Sequence, residues 1–262
     1  MSSSALQVAR TGLDAQDKRM QVIANNLANV STTAFKRDRA NFATLAYQDM
    51  RVAGQQSSNQ TDYATGLNLG TGVGMQSTSR IDAQGSLNNT GNAYDLAIQG
   101  NGYFQIMLPS GQPAYTRAGN FTLSAQGQLV TSQGYVVQPA ITVPSGTTSV
   151  TVASDGTVSA MVQGNTAAQQ IGQITIASFA NPTGLQELGD NMVQETNASG
   201  PAQIGTPGTA GRGTLSQGSL EASNVNIVTE LVDMIECQRA YEINSKMISS
   251  VDEMLKNANQ TL

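Results

Sequence analysis

The stretch ANNLANVSTTAFKRDRANF, residues 24–42, starts as the end of an amphipathic helix, passes through asparagines and a Ser-Thr-Thr run, and then becomes basic and aromatic. Upstream of it, apolar residues recur every seven positions in two rows. The first row is Leu6, Leu13, Met20 and Leu27, and the second is Ala9, Ile23 and Val30, with Gln16 interrupting it. This heptad pattern predicts one helix from about Ser3 to Val30 with an apolar seam.

The C-terminal stretch SNVNIVTELVDMIECQRAYEINSKMISSVDEML, residues 223–255, carries the same pattern. Its rows are Ile227, Met234, Tyr241, Ile248 and Leu255, and Cys237, Val251 and Ala258. We expect Ser223 or Asn224 to cap this helix, because a side-chain oxygen at the cap accepts from the free amides of the first turn. Each helix could pack on a domain of its own. The occurrence of heptads at both ends and nowhere between favours paired, coiled-coil-like helices instead.

Between about Gly70 and Gln194 the sequence changes to short alternating runs such as DLAIQG, GYFQIML and NFTLSA, separated by Gly, Asn and Pro. Such runs are typical of an antiparallel β-domain. The predicted fold class is therefore α+β. Its predicted parts are a terminal helical domain (1–34 and 222–262), extended connectors (35–69 and 197–221) and a β-rich domain (70–196).

Composition excludes several classes of function. The chain of 262 residues has no histidine, one cysteine and a net charge of -5. Without histidine, Ser-His-Asp catalysis and imidazole metal ligation are excluded. The acidic balance argues against nucleic acid, because phosphates are bound by clustered Lys and Arg. We therefore expect no enzyme, no cofactor and no metal, and we predict that Cys237 is a small apolar residue buried in a core or seam.

Two other functions stay open at this point. The acidic residues Asp38, Asp95, Glu187 and Asp190 could supply a carboxylate pair for glycoside hydrolysis, although the sequence does not bring any two of them together. A secreted adhesin-like binding module would share the polar composition and the β-region, but it would not need heptad helices at both ends.

The remaining charges and the N-terminus give two further expectations. The cluster Lys36, Arg37 and Arg39 is predicted to lie on the surface and to pair with acidic groups of neighbouring subunits. The first residues have no basic region followed by an apolar one, and no stretch reaches the roughly 18 consecutive apolar residues of a membrane span. We expect neither a cleaved signal peptide nor a membrane-spanning segment.

The two terminal stretches quoted above resemble the signatures of the bacterial flagellar rod and hook family. The internal segments DLAIQGNGYFQI (95–106) and AYTRAGNFTLSAQGQLVTSQGYVVQ (114–138) are similar to motifs of the same family's β-domain. The resemblance covers essentially the whole chain. Within the family, YQDMRVAGQQSSNQTDYATGLNLGTGV (47–73) is most similar to the members that build the distal rod, with proximal rod or hook subunits as the alternative.

The resemblance implies a structural subunit that polymerises into a helical tube. Paired terminal helices would form its inner wall, the β-domain would face outward, and the tube would transmit motor torque and provide the export channel. The implied partners are other copies of the chain, other rod subunits and the hook protein, the surrounding basal-body rings and the flagellar type III export apparatus. The implied location is the basal body, where the rod crosses the periplasm.

Two sets of residues follow from the resemblance. The residues expected to pack between subunits are Leu6, Leu13, Met20, Ile23, Leu27, Val30, Ile227, Leu231, Met234, Tyr241, Ile248 and Leu255. The residues that match the terminal motifs of the family are Asn25, Asn26, Asn29, Phe35, Asn224, Arg239 and Tyr241. The three asparagines of the N-terminal motif are expected to end the helix and to bond to neighbouring backbone.

Overall fold

The computed structural model describes residues 2–58, 61–164 and 167–260. The chain forms two compact units, and neither is one continuous segment. The helical unit comprises Met1–Ala28, Asp38–Ser79 and Asn226–Leu262, and the β-unit comprises Asn29–Arg37 and Arg80–Val225. These boundaries differ from those of the three predicted parts, because 38–79 groups with the helices.

Both predicted terminal helices are confirmed. Helix α1 spans Ser2–Ala28 and helix α2 spans Ile227–Gln260. The predicted cap of α2 is wrong, because the capping residue is Asn226, whose Oδ1 accepts from the amides of Val228 at 3.0 Å and Thr229 at 3.3 Å. A cap must directly precede the first helical residue, so Ser223 and Asn224 lie too early in the chain.

The rest of the helical unit is a narrow β-ribbon. Its strands are β1 (Asp38–Thr44), β2 (Tyr47–Arg51), β3 (Gln56–Ser58), β4 (Thr61–Asp62), β5 (Leu67–Gly70) and β6 (Val73–Arg80). They pair in nested fashion, β1 with β6, β2 with β5 and β3 with β4. The ribbon contacts α1 at Gly72, whose φ is +120° and whose added Cβ would collide with Thr11 Oγ1. Only glycine allows this approach.

The β-unit contains the other strands. They are β7 (Leu87–Asn89), β8 (Leu96–Gln99), β9 (Tyr103–Met107), β10 (Pro113–Thr116), β11 (Thr122–Leu123), β12 (Leu129–Val130), β13 (Val136–Gln138), β14 (Thr147–Val152), β15 (Thr157–Val162), β16 (Gln169–Gln173), β17 (Ile176–Ser178), β18 (Gln186–Gly189), β19 (Met192–Gln194), β20 (Gln203–Gly205), β21 (Thr214–Gln217) and β22 (Ser219–Glu221). A short 3₁₀ turn at Pro182–Gly184 separates β17 from β18.

The strands of the β-unit form one large sheet, one three-stranded sheet and two separate strand pairs. The largest has the order β11-β12-β13-β9-β10-β19-β18, and β17 joins it by pairing with β9 and β20. A second sheet has the order β14-β15-β16, and two further pairs are β8 with β21 and β7 with β22. All the registered pairings in this unit are antiparallel. The predicted α+β class with a central antiparallel region is therefore confirmed.

The core of the β-unit lies between the large sheet and the three-stranded sheet. It is built from alternating residues of the short strands, among them Ile98, Phe104, Ile106 and Ile176, which are fully buried. Phe104 and Phe121 meet edge to face with centroids 5.1 Å apart. Burial of side chains of this size contributes about 1.5 to 3 kcal/mol each, so this unit has a core of its own.

The structure places strands in both segments that were predicted to be extended connectors. Strands β1 to β4 and all but the last residue of β5 lie in 35–69, and β20 to β22 lie in 197–221. Composition does not predict these strands, because their pairing partners are distant in sequence: β21 pairs with β8 and β22 pairs with β7. Among the described residues, neither helix has a stretch apolar enough over sufficient length to cross a bilayer.

Candidate assembly surfaces

The two terminal helices contact each other in antiparallel orientation through polar side chains. The contacting pairs are Gly12 with Asn244, Gln16 with Cys237, Arg19 with Asp233, and Asn26 with Glu230. The residue numbers rise on α1 as they fall on α2, which defines the antiparallel direction. Of the heptad residues, Cys237 takes part in these pairs, opposite the Gln16 that interrupts the second row of α1.

Cys237 occupies the centre of this contact. Its side chain is fully buried, and its Sγ lies 3.1 Å from the carbonyl oxygen of Gln16 and 3.2 Å from Oε1 of the same residue. Burial raises the pKa of the thiol. The prediction of a buried seam cysteine is confirmed, and Gln16 is part of the contact rather than an interruption of it.

The predicted packing residues of α1 are covered to different extents. Ile23 is buried, while Leu6, Leu13, Met20 and Leu27 are half-buried, as is Val30 just beyond the helix. The contact face of α1 is thus rotated toward the row of Ala9, Gln16 and Ile23. Heptad spacing identifies the helix, but it does not tell which of two adjacent rows faces the partner helix.

The predicted packing residues of α2 lie largely on an open face. Met234 and Ile248 are half-buried, Ile227, Leu231 and Tyr241 are exposed, and the side chain of Leu255 lies outside the described part. The open apolar face of α2 consists of Ile227, Val228, Leu231, Val232, Ile235, Tyr241, Ile243, Met247 and Met254. Val228 is 70% exposed and Ile243 62%. An apolar surface of this extent marks a protein interaction site.

The ribbon carries a second exposed apolar surface. Its members are Phe42, Leu45, Tyr47, Met50, Val52, Leu67, Leu69 and Met75, and Met50 is 61% exposed. A two-stranded ribbon is marginally stable in water when nothing covers its apolar side. This surface was not expected from the polar composition of the segment, because its apolar residues are spread thinly along the sequence and are brought together by the pairing of β2 with β5.

Asn26 shows the structural role of one asparagine of the N-terminal motif. Its side chain is 1% exposed, its Nδ2 donates to the Asp38 carbonyl at 2.9 Å, and its Oδ1 accepts from the Asp38 amide at 2.9 Å. The same Nδ2 lies 3.2 Å from Oε2 of Glu230, which is 0% exposed. Asn26 therefore joins α1, the start of β1 and the first turn of α2. Asn25 is exposed, and Asn29 accepts from the Thr32 hydroxyl.

The β-unit contains a buried ionic junction centred on Glu221. Lys36 Nζ lies 2.6 Å from Glu221 Oε1, Arg117 Nε lies 2.6 Å from Oε2, and the Gly85 amide donates to Oε1 at 2.9 Å. The prediction that Lys36 is a surface charge is wrong, because it is 6% exposed. Arg39 is exposed as predicted, and Arg37 is half-buried. Sequence could not reveal the burial of Lys36, since its acidic partner is 185 positions away.

The electrostatics of the junction follow from burial and close charges. Desolvation by itself would raise the pKa of Glu221, but the Arg117 charge and the hydrogen bonds from Lys36, Arg117 and the Gly85 amide hold it below its ordinary value. Desolvation lowers the pKa of Lys36, against the opposing effect of Glu221. The three side chains hold together residues 36, 117 and 221 of the chain.

Asn224 lies beside this junction and has a bridging role. Its Oδ1 accepts from the Arg37 amide at 2.7 Å, and its Nδ2 donates to the carbonyl oxygens of Ile81 at 2.8 Å and Ala83 at 2.9 Å. Its backbone amide donates to the carbonyl of Phe35. The segments around residues 35, 82 and 224 are thereby fixed side by side.

Two of the acidic residues considered for hydrolysis, Asp95 and Glu187, have side-chain partners. Asp95 accepts from the Thr90 hydroxyl at 2.6 Å and from Asn92 at 3.1 Å, and Glu187 pairs with Arg80. In the described part of the chain there is no group of three or more metal-ligating side chains. These contacts indicate structural roles for the carboxylates.

These features together define a class of protein. Its helices contact each other partly through polar groups, its helix α2 exposes many large apolar residues, and its ribbon exposes a further apolar surface. Such surfaces are covered in the assembled state of an oligomer. The fold and surfaces therefore indicate a structural subunit that completes its packing on other chains.

Comparison with known proteins identifies the family. Three family models match: "Flagella basal body rod protein" over 6–36, "Flagellar hook protein FlgE/F/G D1 domain" over 97–160 and "Flagellar basal body rod FlgEFG protein C-terminal" over 216–261. The flagellar basal-body rod protein FlgG of Buchnera aphidicola (from Acyrthosiphon pisum) is 51% identical over 98% of both chains. The FlgG of Caulobacter vibrioides is 48% identical over 98% of both chains.

A third relative helps to place the chain within the family. The flagellar basal-body rod protein FlgF of Caulobacter vibrioides is 33% identical over 94% of this chain and 92% of its own. The chain belongs to the flagellar basal-body rod protein family.

Proposed function

We propose that this protein is a structural subunit of the bacterial flagellar basal-body rod. The observation that carries the proposal is near-complete alignment with rod proteins, at 51% identity over 98% of the chain for the Buchnera protein. The exposed large apolar residues of α2 and of the ribbon support it, because clusters of such residues mark protein interaction sites.

We place the subunit in the distal rod. Within one organism, Caulobacter vibrioides, the chain is more similar to FlgG at 48% identity than to FlgF at 33%. The segment 47–73, which resembles distal rod members, forms part of the ribbon. A proximal rod or hook position is the alternative.

In the assembled rod, the terminal helices form the inner wall and the β-unit faces outward. The predicted packing residues, such as Leu13, Leu27 and Leu231, then contact neighbouring copies, where burial of each large apolar side chain contributes about 1.5 to 3 kcal/mol. Helices gain most of their stability from such packing rather than from propensity. The resulting tube transmits torque to the hook and leaves an axial channel for export.

The ribbon fills the space between neighbouring subunits. Its exposed side chains, including Tyr47, Met50 and Leu69, are covered there, and the filled space makes the rod straight and stiff. Interfaces packed to interior density have few alternative arrangements, so subunits cannot slide past one another.

Membership of the family supports a location and a set of partners for the subunit. The subunit lies in the basal body, where the rod crosses the periplasm, and it contacts other rod subunits, the hook protein and the surrounding rings. It leaves the cytoplasm unfolded through the flagellar type III export apparatus and needs no cleaved signal. It acts without a cofactor and without enzymatic activity.

The packing of the inner wall is tested by one disruptive and one conservative substitution. Leu27→Asp places a charge where packed helices have no partner for it, which is costly. We expect loss of rods and of motility in cells that make this variant as their only copy. Met20→Leu conserves volume on the same row and should assemble normally. Full-length, motile flagella built from the Leu27→Asp variant would contradict the inner-wall assignment.

A further inference from the structure

The helix pair has an unusual distribution of side chains. Polar groups lie between α1 and α2, while Val228, Ile235 and Ile243 of α2 are exposed. Apolar seams permit sliding by whole heptads at little cost, whereas a buried polar residue at one seam position fixes the alignment. The polar contacts between α1 and α2 therefore favour one alignment of the two helices over the others.

One contact stands out by burial and by the number of its bonds. Glu230 is 0% exposed and Asn26 is 1% exposed, and the Asn26 amide reaches Oε2 of Glu230 at 3.2 Å. Asn26 is itself held by two hydrogen bonds to the backbone of Asp38. The Asp38 backbone thus fixes the orientation of this amide, and a buried carboxylate that was not aligned with it would lose a hydrogen bond in a low-dielectric site.

The alternative alignments place different residues of α1 against Glu230. A shift by one turn toward the N-terminus of α1 places Glu230 against Val22, and the opposite shift moves it past the end of α1 at Ala28. The alignment shifted by one heptad toward the N-terminus of α1 is the main alternative to the observed alignment. It would place Glu230 against Arg19 and Cys237 against Ala9, and both contacts are favourable.

We propose that Asn26 and Glu230 are the pair that determines the register of the two terminal helices, by favouring the observed alignment over the one shifted by a heptad. The register in turn decides which apolar residues of α2 are presented to other copies, and that consequence rests on the proposed rod function. Glu230 acts as the buried carboxylate and Asn26 as its positioned amide donor. Without the Asn26 amide, Glu230 loses this hydrogen bond. The shifted alignment, in which Glu230 would lie against Arg19, then becomes relatively more favourable.

The single cysteine of the chain makes the register measurable. In the observed alignment Cys237 lies against Gln16, so a Gln16→Cys variant reports this register by forming a 16–237 disulfide. In the shifted alignment Cys237 would lie against residue 9, so an Ala9→Cys variant reports the shifted register by a 9–237 disulfide. Both positions lie on the row of α1 that faces α2, and Ala9 is buried.

The experiment combines each reporter with three backgrounds. The parent chain, Asn26→Leu and Gln21→Leu are each made as the only copy in the cell. Rods are isolated in basal bodies, and the whole-cell pool is oxidised in parallel. Peptide mass spectrometry assigns the disulfides, and mass on non-reducing gels separates links within a chain from links between chains. The Gln21→Leu variant is the control, because Gln21 is an exposed amide side chain of α1 that donates to Asp17 of the same helix.

The parent and the control should give the 16–237 disulfide and little 9–237. In the Asn26→Leu background we expect the ratio of 9–237 to 16–237 to rise on the order of tenfold, as for the loss of one hydrogen bond to a charged group. A ratio equal to that of the parent would overturn the proposal. Loss of both disulfides within the chain would also overturn it, because Asn26 would then only hold the helices together.

If the Asn26→Leu variant yields no protein, a second variant still tests the proposal. The double change Asn26→Leu with Glu230→Leu replaces the polar pair by an apolar one, and in the shifted register it would set an apolar side chain at position 230 against Arg19. We expect the 16–237 disulfide to return as the main product, and persistence of 9–237 would contradict us. Rod formation and motility are scored separately, so a failed rod assignment would not be mistaken for a failed register.

Discussion

At the scale of single residues, the contacts of Glu221 show how a charge can be buried. The carboxylate receives bonds from Lys36, Arg117 and the Gly85 amide, all within 2.9 Å. A buried ion pair is not by itself a source of stability, because desolvation opposes the Coulomb attraction. Removing one partner of such a group is nevertheless destabilising, since the remaining charges stay buried without compensation.

This asymmetry gives a prediction for Glu221→Gln. The substitution leaves Lys36 and Arg117 buried without a counter-ion, and we expect the free energy of unfolding of the β-unit to fall by about 3 to 5 kcal/mol. Urea denaturation followed by circular dichroism measures it. The control is Glu187→Gln, whose side chain is 55% exposed beside Arg80 and should cost less than about 1 kcal/mol. Equal losses in the two variants would contradict the role of the junction.

The same residue predicts a pH dependence. The Arg117 charge and the bonds from Lys36, Arg117 and the Gly85 amide outweigh desolvation and hold the folded-state pKa of Glu221 below its ordinary value of 4.5. A lowered carboxyl pKa means that the folded state holds fewer protons than the unfolded state. The stabilisation from this group is therefore complete above its unfolded pKa and is lost as the pH falls through the folded pKa.

The measurement compares the parent chain with Glu221→Gln across that range. Their difference in unfolding free energy should be constant near neutral pH and should shrink as the pH is lowered below about 4.5, the ordinary pKa of the group. Protonation makes the parent resemble the variant. A difference that is unchanged between neutral pH and the most acidic folded condition would show that Glu221 does not titrate in this way.

At the scale of elements, α2 is the element whose packing is least complete. It is capped by Asn226, and Glu230 in its first turn lies near the positive end of the helix dipole. Its contact with α1 includes several polar side chains, and its open apolar face is not covered by the described residues of the single chain. Packing of an apolar face supplies most helix stability in proteins, so α2 depends on neighbours more than the β-strands do.

Limited proteolysis tests this difference between elements. We expect protease to trim both termini of the dilute monomer and to leave a fragment close to Arg80–Val225, because that segment forms most of a unit with its own apolar core. Assembled rods are the control, and their termini should resist the same treatment. Resistance of α1 and α2 in dilute monomer would show that the polar contact alone is enough to order them.

At the scale of the whole molecule, the ribbon contains the segment 47–73 that resembles distal rod members. We propose that it makes the rod straight and stiff. Deleting Ala53–Asp62 removes its far end, in which residues 59 and 60 lie outside the described part, and should give curved, flexible or unstable rods. Electron microscopy of isolated basal bodies is the measurement. A variant with a Gly/Ser segment of equal length is the control for chain length alone. Straight rods and normal motility after the deletion would indicate a solvated loop.

Much of the architecture was predictable because its signals are local. Heptads at Leu6 to Leu27 and at Ile227 to Leu255 mark long helices, because the period of apolar residues depends only on helix geometry. Alternating runs such as GYFQIML mark short strands for the same reason. The absence of histidine excludes whole classes of catalysis by chemistry alone.

The tertiary structure alone decided which groups meet. Cys237 was predictable as a buried residue from its own helix, but its partner Gln16, the burial of Lys36 by Glu221 and the bridging role of Asn224 depend on contacts across more than 140 positions. The apolar surface of the ribbon arises in the same way, from β2 pairing with β5. Sequence by itself determined the two terminal helices and the β-rich character of the central region, because periodicity is a property of neighbouring residues. The structure decided the strands of the two predicted connectors, the seam and the junction, because these depend on chain segments that only folding brings together.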